Sequence, residues 1–381
     1  MRVLFSSSPG IGHLLPLLGV AGVATAAGHD ARVGVGDSLR PIVERAGLVP
    51  LELGPPSLAE VRAQIPELST ADVAGRTLLM YGHAFGRILA AAFAREVIEL
   101  AREWRPDLIV HEDMEMGSWI AAERLGIPHV TIQAAAWRPY RRPLVVDHQN
   151  AIRLEHGLTP DADLTGFDGA RWFTNRPIAL RDPGQPMPEP LGEIRPGHGD
   201  RLAADRTAGS HREAGDRRPL LAVTLGTVNA HRIDLLRPIV DGLAALDVDA
   251  VVGLGGDPAT LGPVAANIHV ERYVPMSDLL PRSAVAIHHA GSGTTLAAAA
   301  AGVPSVMVPI TADQPDNAAA VVRAGAGRVI ELDGLTSDVV ADVVRGMLDD
   351  AQMAARARTL AEGVAAMPDA AAAWSEIESL V

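Results

Sequence analysis

Three short stretches of the chain combine residue types that could do chemistry. They are Gly10–His13, His111–Asp113 and His288–Thr295. Histidine exchanges protons near neutral pH, and a nearby carboxylate can orient and polarise it, so the first two stretches suit general base chemistry. The third offers hydroxyl groups and backbone N–H groups next to small side chains, which suit the binding of an anion.

The stretch Gly10–His13 follows a buried strand predicted at Val3–Ser7, and its two glycines allow a sharp turn close to a ligand. His13 then begins a helix, where it can accept a proton. A plain glycine-rich turn with a histidine at the helix start is the alternative. The dinucleotide-binding fingerprint is incomplete because Leu15 occupies its third glycine position, and this disfavours a dehydrogenase.

The other two stretches also follow predicted strands. The carboxylates of Glu112 and Asp113 could polarise a base or cap the next helix. Successive side chains of a strand point to opposite faces, so His288 and His289 cannot both face one ligand. With a helix expected to begin near Thr295, the small residues before it would form an anion site suited to a diphosphate; an ordinary helix cap is the alternative.

These stretches must be positioned by the strands and helices around them. The hydrophobic pattern predicts the same alternation of strands and helices in both halves of the chain. Strands are predicted at Val3–Ser7, Ala31–Val35, Leu108–His111, His129–Gln133, Leu220–Thr224, Ala250–Gly253, Val285–His288 and Ser305–Val308. Helices are predicted at Leu15–Ala27, Gly117–Leu125, Asp234–Leu246, Thr295–Ala301, Asn317–Ala324, Ser337–Leu348 and Ala370–Leu380. This alternation predicts a parallel sheet with crossover helices in each half.

A similar six-residue motif occurs once in each half, at Leu125–Val130 and Ala301–Val306. In each copy, glycine ends a predicted helix and proline precedes a predicted buried strand. The motif predicts two similar doubly wound domains. The proline-rich stretch Arg181–Pro219 interrupts regular structure and separates them.

We expect an N-terminal domain at 1–196, a linker at 197–217, a C-terminal domain at 218–366 and a last helix within 367–381 that packs back on the N-terminal domain. Two stretches of weak periodicity, Pro55–Phe85 and Trp137–Arg176, are expected to be irregular insertions in the first domain.

The amino-acid composition disfavours several classes of partner and excludes several catalytic groups. The chain has 381 residues, 48% of them apolar, and a formal net charge of −13, which excludes disorder and disfavours nucleic acid or an anionic membrane as partner. There is no cysteine, and all 33 basic residues are arginine, so thiolate nucleophiles and Schiff-base lysines are excluded. Such lysine-free, alanine- and arginine-rich composition is typical of the high-G+C genomes of actinobacteria.

Targeting segments are not predicted. Only the three apolar residues Val3–Phe5 precede Ser6, whereas a secretory signal needs an apolar region of about 7–15 residues. No apolar run reaches the roughly 18–20 residues of a membrane span. We therefore expect a cytoplasmic protein without stable membrane insertion.

The third stretch is the start of a longer pattern, which continues through Ala300–Pro304, Val308-Pro309 and Asp313–Ala318. This pattern resembles the donor-binding signature of family 1 glycosyltransferases, and it is most similar to the actinobacterial branch that glycosylates antibiotics and other secondary metabolites. The resemblance covers nearly the whole chain apart from the insertions and the linker. It extends to Gly12–Pro16, Thr224–Thr227, Val274-Pro275 and Leu279–Pro281.

The resemblance implies an α/β protein of the GT-B class, in which two facing Rossmann-like, doubly wound domains enclose an interdomain cleft. His13 matches the family's catalytic base, which deprotonates the acceptor hydroxyl. Its partner acid falls at the end of the strand from Leu108, where Glu112 is favoured and Asp113 is the alternative.

The resemblance also places the donor. His289 matches the diphosphate ligand, Val274 matches the residue whose backbone reads the base, and Asp313 and Gln314 match the residues that hold the sugar hydroxyls. The remaining expected contacts to the nucleotide and diphosphate are Gly12, Thr227, Gly291, Ser292, Gly293 and Thr294.

The implied function is inverting transfer of a sugar, expected to be a deoxysugar, from a dTDP-sugar or UDP-sugar to a hydroxyl of a lipophilic natural product such as a polyketide or macrolide. The helix end at 289–295 can replace a divalent metal, so we expect no metal and no cofactor besides the sugar nucleotide. A GT-B epimerase or cell-wall transferase, and a silent homologue that activates a partner enzyme, are the alternatives.

The acceptor is not identified by the sequence. Met80, Tyr81, Phe85, Trp137 and Tyr140 lie in the two insertions and could line its pocket or could belong to the core. The regiochemistry, the atom glycosylated and the oligomeric state, with a homodimer among the options, are left open.

Overall fold

The structure is a computed structural model that describes residues 1–136, 139–197, 218–226, 229 and 231–381. The chain divides into two compact units. The first contains Met1–Asn175, Asp182–Ala203 and Met367–Val381, and the second contains Arg176–Arg181 and Ala204–Ala366. The chain therefore passes from one unit to the other more than once.

The first unit is built on a parallel sheet. Its strands are β1 (Arg2–Ser6), β2 (Asp30–Val35), β3 (Val49–Glu52), β4 (Leu108–Glu112), β5 (His129–Ile132), β6 (Arg171–Thr174) and β7 (Leu191–Glu193). They lie in the order β3-β2-β1-β4-β5-β6-β7, and every pair is parallel. Strands buried in a parallel sheet are apolar along their whole length, as Val3, Leu4 and Phe5 illustrate.

Helices connect and cover these strands. They are α1 (Ile11–Ala26), α2 (Arg40–Arg45), α3 (Leu58–Ala63), α4 (Val73–Leu79), α5 (Ala90–Trp104), α6 (Ser118–Leu125), α7 (Val146–Glu155) and, from the end of the chain, α14 (Ala370–Glu378). A π-helical segment, Met80–Leu89, joins α4 to α5. Short 3₁₀ helices lie at Pro66–Ser69, Pro139–Leu144, Thr165–Asp168 and, in the second unit, Ile178–Leu180.

The second unit repeats the design with a six-stranded parallel sheet. Its strands are β8 (Leu220–Thr224), β9 (Asp249–Gly253), β10 (Ile268–Glu271), β11 (Val285–His288), β12 (Ser305–Met307) and β13 (Gly327–Val329), in the order β10-β9-β8-β11-β12-β13. Its α-helices are α8 (Ile233–Ala244), α9 (Met276–Leu279), α10 (Ser292–Ala301), α11 (Gln314–Arg323), α12 (Ser337–Leu348) and α13 (Ala351–Ala365). Further 3₁₀ helices lie at Pro258–Leu261, Leu280–Arg282 and Leu332–Gly334.

The strand–helix alternation expected in each half is confirmed, with bounds that differ by a few residues. The motif at Leu125–Val130 and Ala301–Val306 has the same structure in both places. Gly126 ends α6 and Gly302 ends α10, each with φ 68° and ψ 30°. Only glycine adopts this left-handed conformation without cost, so it stops the helix and turns the chain into the next buried strand. The largest shift is in α10, which begins at Ser292 instead of the expected Thr295.

The expectation of an irregular insertion at Pro55–Phe85 is wrong, because most of this stretch is helical. From Gly75 to Trp104 the chain is one continuous helix of 30 residues, which includes the π-helical segment. Before Met80 the stretch holds only the short elements α3, Pro66–Ser69 and α4. Elements of one or two turns are too short for a helical period to repeat, which accounts for the weak periodicity of the sequence there.

The proline-rich stretch is also more regular than expected, since it contains β7. Pro190 precedes this strand, which lies at the edge of the sheet, where the lost N–H of a nearby proline is tolerated. Of the expected linker at 197–217, residues 198–217 lie outside the described part of the chain.

One helix, Gly75–Trp104, is long and apolar enough to match a membrane span by length and composition. Half of its most apolar window is buried inside the protein, where Phe93 and Val97 are fully covered. A core helix of a globular domain meets the same criteria, so this feature by itself does not indicate a membrane.

Candidate functional site

In both sheets, the loops that carry the candidate residues follow the carboxyl ends of equivalent strands. In doubly wound sheets, ligands bind at the carboxyl ends of the strands where the strand order reverses. That reversal lies between β1 and β4 in the first unit and between β8 and β11 in the second. His13 follows β1, and His289 follows β11.

In the first unit, His13 contacts Glu112. Strands β1 and β4 are parallel neighbours that pair Ser6 with His111, so the loop after β1 and the end of β4 share one edge of the sheet. His13 Nδ1 lies 3.2 Å from Oε2 of Glu112. Of the two carboxylates considered from the sequence, the structure brings Glu112, and not the neighbouring Asp113, to the histidine.

The Glu112 carboxylate is fully buried, and each of its oxygens accepts a backbone N–H. Ser8 N lies 3.0 Å from Oε1, and Met114 N lies 2.7 Å from Oε2. Burial alone would raise the pKa of this carboxyl, but the charge and hydrogen bond of His13, together with these donors, hold the pKa below its ordinary value. Glu112 is therefore an anion at neutral pH.

This anion fixes the tautomer of His13. Because a carboxylate only accepts hydrogen bonds, Nδ1 carries the proton and Nε2 is the acceptor nitrogen. The histidine side chain is 24% exposed. Its ring lies against Gly10, where a Cβ would come within 3.0 Å of Cδ2, and 5.6 Å from the ring of Phe85. In its neutral form, the oriented histidine offers Nε2 as an acceptor nitrogen, which is what a general base requires.

Asp113 has a different environment from Glu112. Its Oδ1 accepts the N–H groups of Ala134 at 2.8 Å and Ala135 at 3.2 Å, directly after β5. Burial, and next the negative charge of Glu112, raise the pKa of Asp113 to about 7. Burial also raises the pKa of Glu115 to about 7. Neighbouring carboxyls thus differ in ionisation, and Glu112 is the one that is hydrogen-bonded to His13.

A small pocket lies in the first unit beside Asp113. Its wall includes Tyr81, Asp113, Arg142, Val145, Gln149 and Phe167. These side chains combine an apolar surface with a few polar groups, as is typical of small-molecule sites.

Of the described residues expected at the acceptor site, one lines the pocket and others belong to the core. Tyr81 lines the pocket, whereas Phe85 is 8% exposed and contacts the ring of His13. Met80 packs against the same apolar core as Phe85. Trp137 and the side chain of Tyr140 lie outside the described residues.

In the second unit, the loop after β11 leads into the start of α10. Ala290 adopts a left-handed conformation with φ 62°, and Gly291 is the N-cap residue of the helix. The first N–H groups of a helix lack partners within it and carry partial positive charge, so this end can bind an anion. Ser292, Gly293 and Thr294 form its first turn, and Gly293 is exposed.

His289 is held between two glycines. A Cβ at Gly226, which follows β8, would lie 2.6 Å from its Cε1, and a Cβ at Gly291 would lie 2.4 Å from its Nε2. Burial lowers the pKa of His289 to about 4, although Asp313 and the Thr224 carbonyl act in the opposite direction. The imidazole is therefore neutral at physiological pH and offers hydrogen bonds but no fixed charge.

Of the other residues expected at the donor site, Val274 lies in the second unit and Gly12 in the first. Val274 is 4% exposed, and its backbone N would lie 3.7 Å from a Cβ at Gly253, at the end of β9. Gly12 belongs to the first unit and is exposed in the first turn of α1. Thr227 lies outside the described residues.

Asp313 and Gln314 point to different partners. Oε1 of Gln314 accepts the N–H groups of Ile310 at 2.7 Å and Thr311 at 3.0 Å, so this side chain braces the loop after β12. Asp313 Oδ2 instead accepts the hydroxyl of Ser292 at 2.7 Å. The loops after β11 and β12 are thereby tied together.

Two further side chains belong to this group, and neither was singled out from the sequence. Asn317 donates to Asp313 Oδ2 at 3.1 Å, and Arg176 donates to the Ser292 hydroxyl at 2.8 Å. Asn317 lies one turn after Asp313 on α11, so helical spacing could have indicated it. Arg176 lies more than a hundred residues before Ser292, and no sequence pattern links them.

Among the residues that the structure describes, no group of three or more histidine, aspartate or glutamate side chains is arranged to hold a metal ion.

Comparison with known proteins gives matches to both halves of the chain. A family model described as erythromycin biosynthesis protein CIII-like, N-terminal domain, matches residues 23–137, and the corresponding C-terminal domain matches residues 237–380. Tylactone mycaminosyltransferase of Streptomyces fradiae is 30% identical, with 100% of this chain and 92% of that protein covered. L-demethylnoviosyl transferase of Streptomyces niveus is 29% identical, with 86% and 84% covered.

A solved structure is similar over the full length. The crystal structure of the glycosyltransferase SnogD from Streptomyces nogalater has a TM-score of 0.78 and 27% sequence identity, with 100% of both chains covered. The similarity therefore includes both units and the order of their elements.

Proposed function

The chain belongs to the family of erythromycin biosynthesis protein CIII-like glycosyltransferases, and on that premise we propose that it transfers a deoxysugar from a dTDP-sugar or UDP-sugar to a hydroxyl of a lipophilic natural product. Its two Rossmann-like units match GT-B glycosyltransferases, which confirms the expected fold class and the expected enzyme class. The observation that supports this reaction most directly is the contact between His13 and Glu112.

In the proposed reaction, His13 acts as general base. Nε2 takes the proton of the acceptor hydroxyl while the oxygen attacks the anomeric carbon of the sugar. Glu112 accepts a hydrogen bond from Nδ1 and stabilises the imidazolium that forms. Glu112 thus orients the catalytic histidine without taking its proton, as the aspartate of a catalytic triad does.

The bond between the anomeric carbon and the diphosphate oxygen breaks as the new bond forms. Its electron pair stays on the leaving diphosphate, and direct displacement inverts the configuration at carbon. We assign stabilisation of this charge to the N–H groups at the start of α10 and to His289. A helix N-terminus supplies fixed dipoles without a metal ion, so we expect activity to persist in the presence of a chelator.

The relatives support the choice of substrates. Their names describe mycaminosyl transfer to tylactone and transfer of L-demethylnoviose, so we propose a natural-product acceptor and a modified sugar for this chain as well. The pocket beside Asp113 and Tyr81 is our candidate for part of the acceptor site. We also expect a cytoplasmic enzyme; a homodimer stays a prediction.

The proposal is tested by mixing the purified chain with dTDP- and UDP-sugars and a panel of hydroxylated polyketide acceptors, followed by mass spectrometry. We expect a product heavier by one sugar residue with at least one pair. His13→Ala should lower kcat by about 10²-fold or more while nucleotide binding is retained. Glu112→Gln should lower kcat by a smaller factor, because the neutral amide still orients the ring but stabilises the imidazolium less.

The result also separates the alternatives. Full activity of His13→Ala would remove the base assignment. A wild-type chain that binds nucleotide but stimulates a second enzyme without transferring sugar itself would instead identify a silent activator. The hydrogen-bond contact between His13 and Glu112 favours an active transferase over a silent activator.

A further inference from the structure

A short segment of the chain, Arg176–Arg181, leaves the sheet of the first unit after β6 and belongs to the second unit. Leu180 is 2% exposed and packs in the apolar cluster that contains Leu296 of α10 and Val321 of α11. The Arg181 carbonyl accepts a hydrogen bond from Arg323 at 3.3 Å. The segment is therefore fixed on α10 and α11, the two helices that follow the loops of the candidate donor site.

Arg176 lies at the start of this segment and is 4% exposed. Its Nη2 donates to the Ser292 hydroxyl at 2.8 Å and also to Oδ1 of Asn317. Asn317 Nδ2 in turn donates to the Ala290 carbonyl at 2.8 Å. Arg176 thus contacts the first residue of α10 and, through Asn317, the loop before it.

The Ser292 hydroxyl is fully used within this network. It donates to Asp313 at 2.7 Å and accepts from Arg176 at 2.8 Å and Asn317 at 3.2 Å. A hydroxyl has one donor and two acceptor sites, so none is left for a phosphate while these contacts persist. The sequence led us to expect a hydroxyl contact to phosphate from Ser292, but this geometry makes its backbone N–H the group that can reach the ligand.

The charges at this site favour an important role for the arginine. Asp313 places a carboxylate at the loop to which a diphosphate must bind, and His289 is neutral at physiological pH because burial lowers its pKa. The whole chain carries a formal net charge of −13, so the molecule offers no general attraction for an anion. Arg176 brings a permanent positive charge to the same hydrogen-bond network as Asp313.

We propose that Arg176 is a positioning residue of the donor site, which holds Ser292 and Asn317 in place and offsets the charge of Asp313 so that a nucleoside diphosphate can bind at the start of α10. This role rests on the proposed function, since it assumes that the diphosphate binds there. Arg176 acts through Ser292 and Asn317 and needs no contact with the ligand itself.

The test measures binding of dTDP and UDP to the full chain by calorimetry. Arg176→Gln should weaken the binding of the tighter-binding nucleotide by about tenfold or more, because the half-buried Asp313 carboxylate then loses the positive charge that offsets it. Arg176→Lys keeps the charge but lacks the planar guanidinium that contacts both partners, so it should lose less affinity than Arg176→Gln does. Arg345→Gln removes the same charge from an exposed arginine paired with Asp342 on α12, and it should have no effect.

A second substitution separates charge from simple loss of structure. In the Arg176→Gln background, Asp313→Asn removes the carboxylate that Arg176 offsets, so it should restore most of the lost affinity. A purely structural role would not be rescued in this way. If Arg176→Gln fails to fold, Asp313→Asn in the wild-type background serves instead and should tighten dTDP binding, and weaker binding would contradict the proposal.

The outcomes distinguish this role from the proposed function. A wild-type chain that binds neither nucleotide refutes the donor assignment, and the role of Arg176 falls with it. A wild-type chain that binds, together with an Arg176→Gln variant of unchanged affinity or a double variant without rescue, refutes the role of Arg176 and leaves the donor assignment in place.

Discussion

At the scale of single residues, Glu112 and Asp113 show how partners decide the state of a buried carboxyl. Both are buried, and burial raises the pKa of each. At Glu112, His13 and the Ser8 and Met114 N–H groups together outweigh that effect, whereas the negative charge of Glu112 adds to it at Asp113. Below about pH 7 the pair therefore carries mainly one charge, on Glu112 beside the histidine.

A stability prediction follows for Asp113. Its pKa is about 7 in the folded protein and near 3.8 in the unfolded chain, so the unfolded chain loses this proton first as pH rises. Folding is thus progressively penalised from about pH 4 to pH 7, and the full penalty persists above pH 7. Asp113→Asn should raise the free energy of unfolding by on the order of 2 kcal/mol near pH 8, and the gain should shrink toward pH 4.

Denaturant titrations at several pH values measure this difference. The exposed Asp257, which caps a 3₁₀ helix through the Ala259 N–H, provides the matched control, because Asp257→Asn keeps an acceptor and should show no such pH trend. A gain for Asp113→Asn that grows on acidification would have the wrong sign and would exclude a raised pKa.

At the scale of elements, the loop after β8 is shaped by its contact with His289. Gly226 has φ 75°, and a Cβ there would lie 2.6 Å from the ring. Gly226→Ala should displace the imidazole and raise the KM for the sugar nucleotide by about tenfold, since the hydrogen bond that we propose between His289 and the diphosphate would be lost. Steady-state kinetics at a fixed acceptor concentration measure the change.

Gly262 provides the control for backbone strain. It also has a positive φ, 73°, which residues with a Cβ rarely adopt, but a Cβ there would meet no atom within 4 Å. Both alanine variants should lose about 1–3 kcal/mol of stability from the positive-φ backbone. If Gly262→Ala raises the donor KM as much as Gly226→Ala does, contact with His289 is not the cause.

The elements also show what could be predicted from the sequence and what could not. The ends of β1 and β4 were predictable, because apolar runs mark buried strands and parallel strands share their carboxyl edge. The choice between Glu112 and Asp113 was not, because it depends on where β4 ends and how its last side chain points. The helices within Pro55–Phe85 were missed because the elements before Met80 are only one or two turns long, too short for a helical period to repeat.

Arg176 lay beyond sequence reasoning for another reason. Its partner Ser292 is distant in the chain, and a single arginine before a proline carries no spacing signal. Motifs reveal residues that share one loop or helix, as His288–Thr295 does. Contacts between a motif and a remote segment arise only from the packing of the whole unit.

At the scale of the whole molecule, the last helix belongs to the first unit. Trp374 of α14 is 3% exposed and lies 6.5 Å from the ring of Phe5 in β1 and 5.1 Å from the ring of His29. The sheet of the first unit is therefore covered by residues from both ends of the chain. Arg171 and Glu376 add an ion pair between β6 and this helix.

Trp374→Ala should destabilise the first unit by about 3–5 kcal/mol, because it removes a large side chain from a packed core. Hydrogen exchange followed by mass spectrometry should show faster exchange in β1 and α1 and unchanged exchange in β11 and β12. Val381→Ala, at an exposed position beyond α14, should change neither. Faster exchange confined to the second unit would contradict this assignment of the helix.

The excursion of Arg176–Arg181 into the second unit affects how hybrid enzymes should be made. Joining the first half of one relative to the second half of another near residues 197–217 would keep Arg176 from one parent and Ser292, Asp313 and Asn317 from the other. A recombinant donor site assembled in this way combines an arginine and an acidic loop that were never selected together. Hybrids that transplant this six-residue segment along with the second unit should retain the sugar-nucleotide preference of that parent.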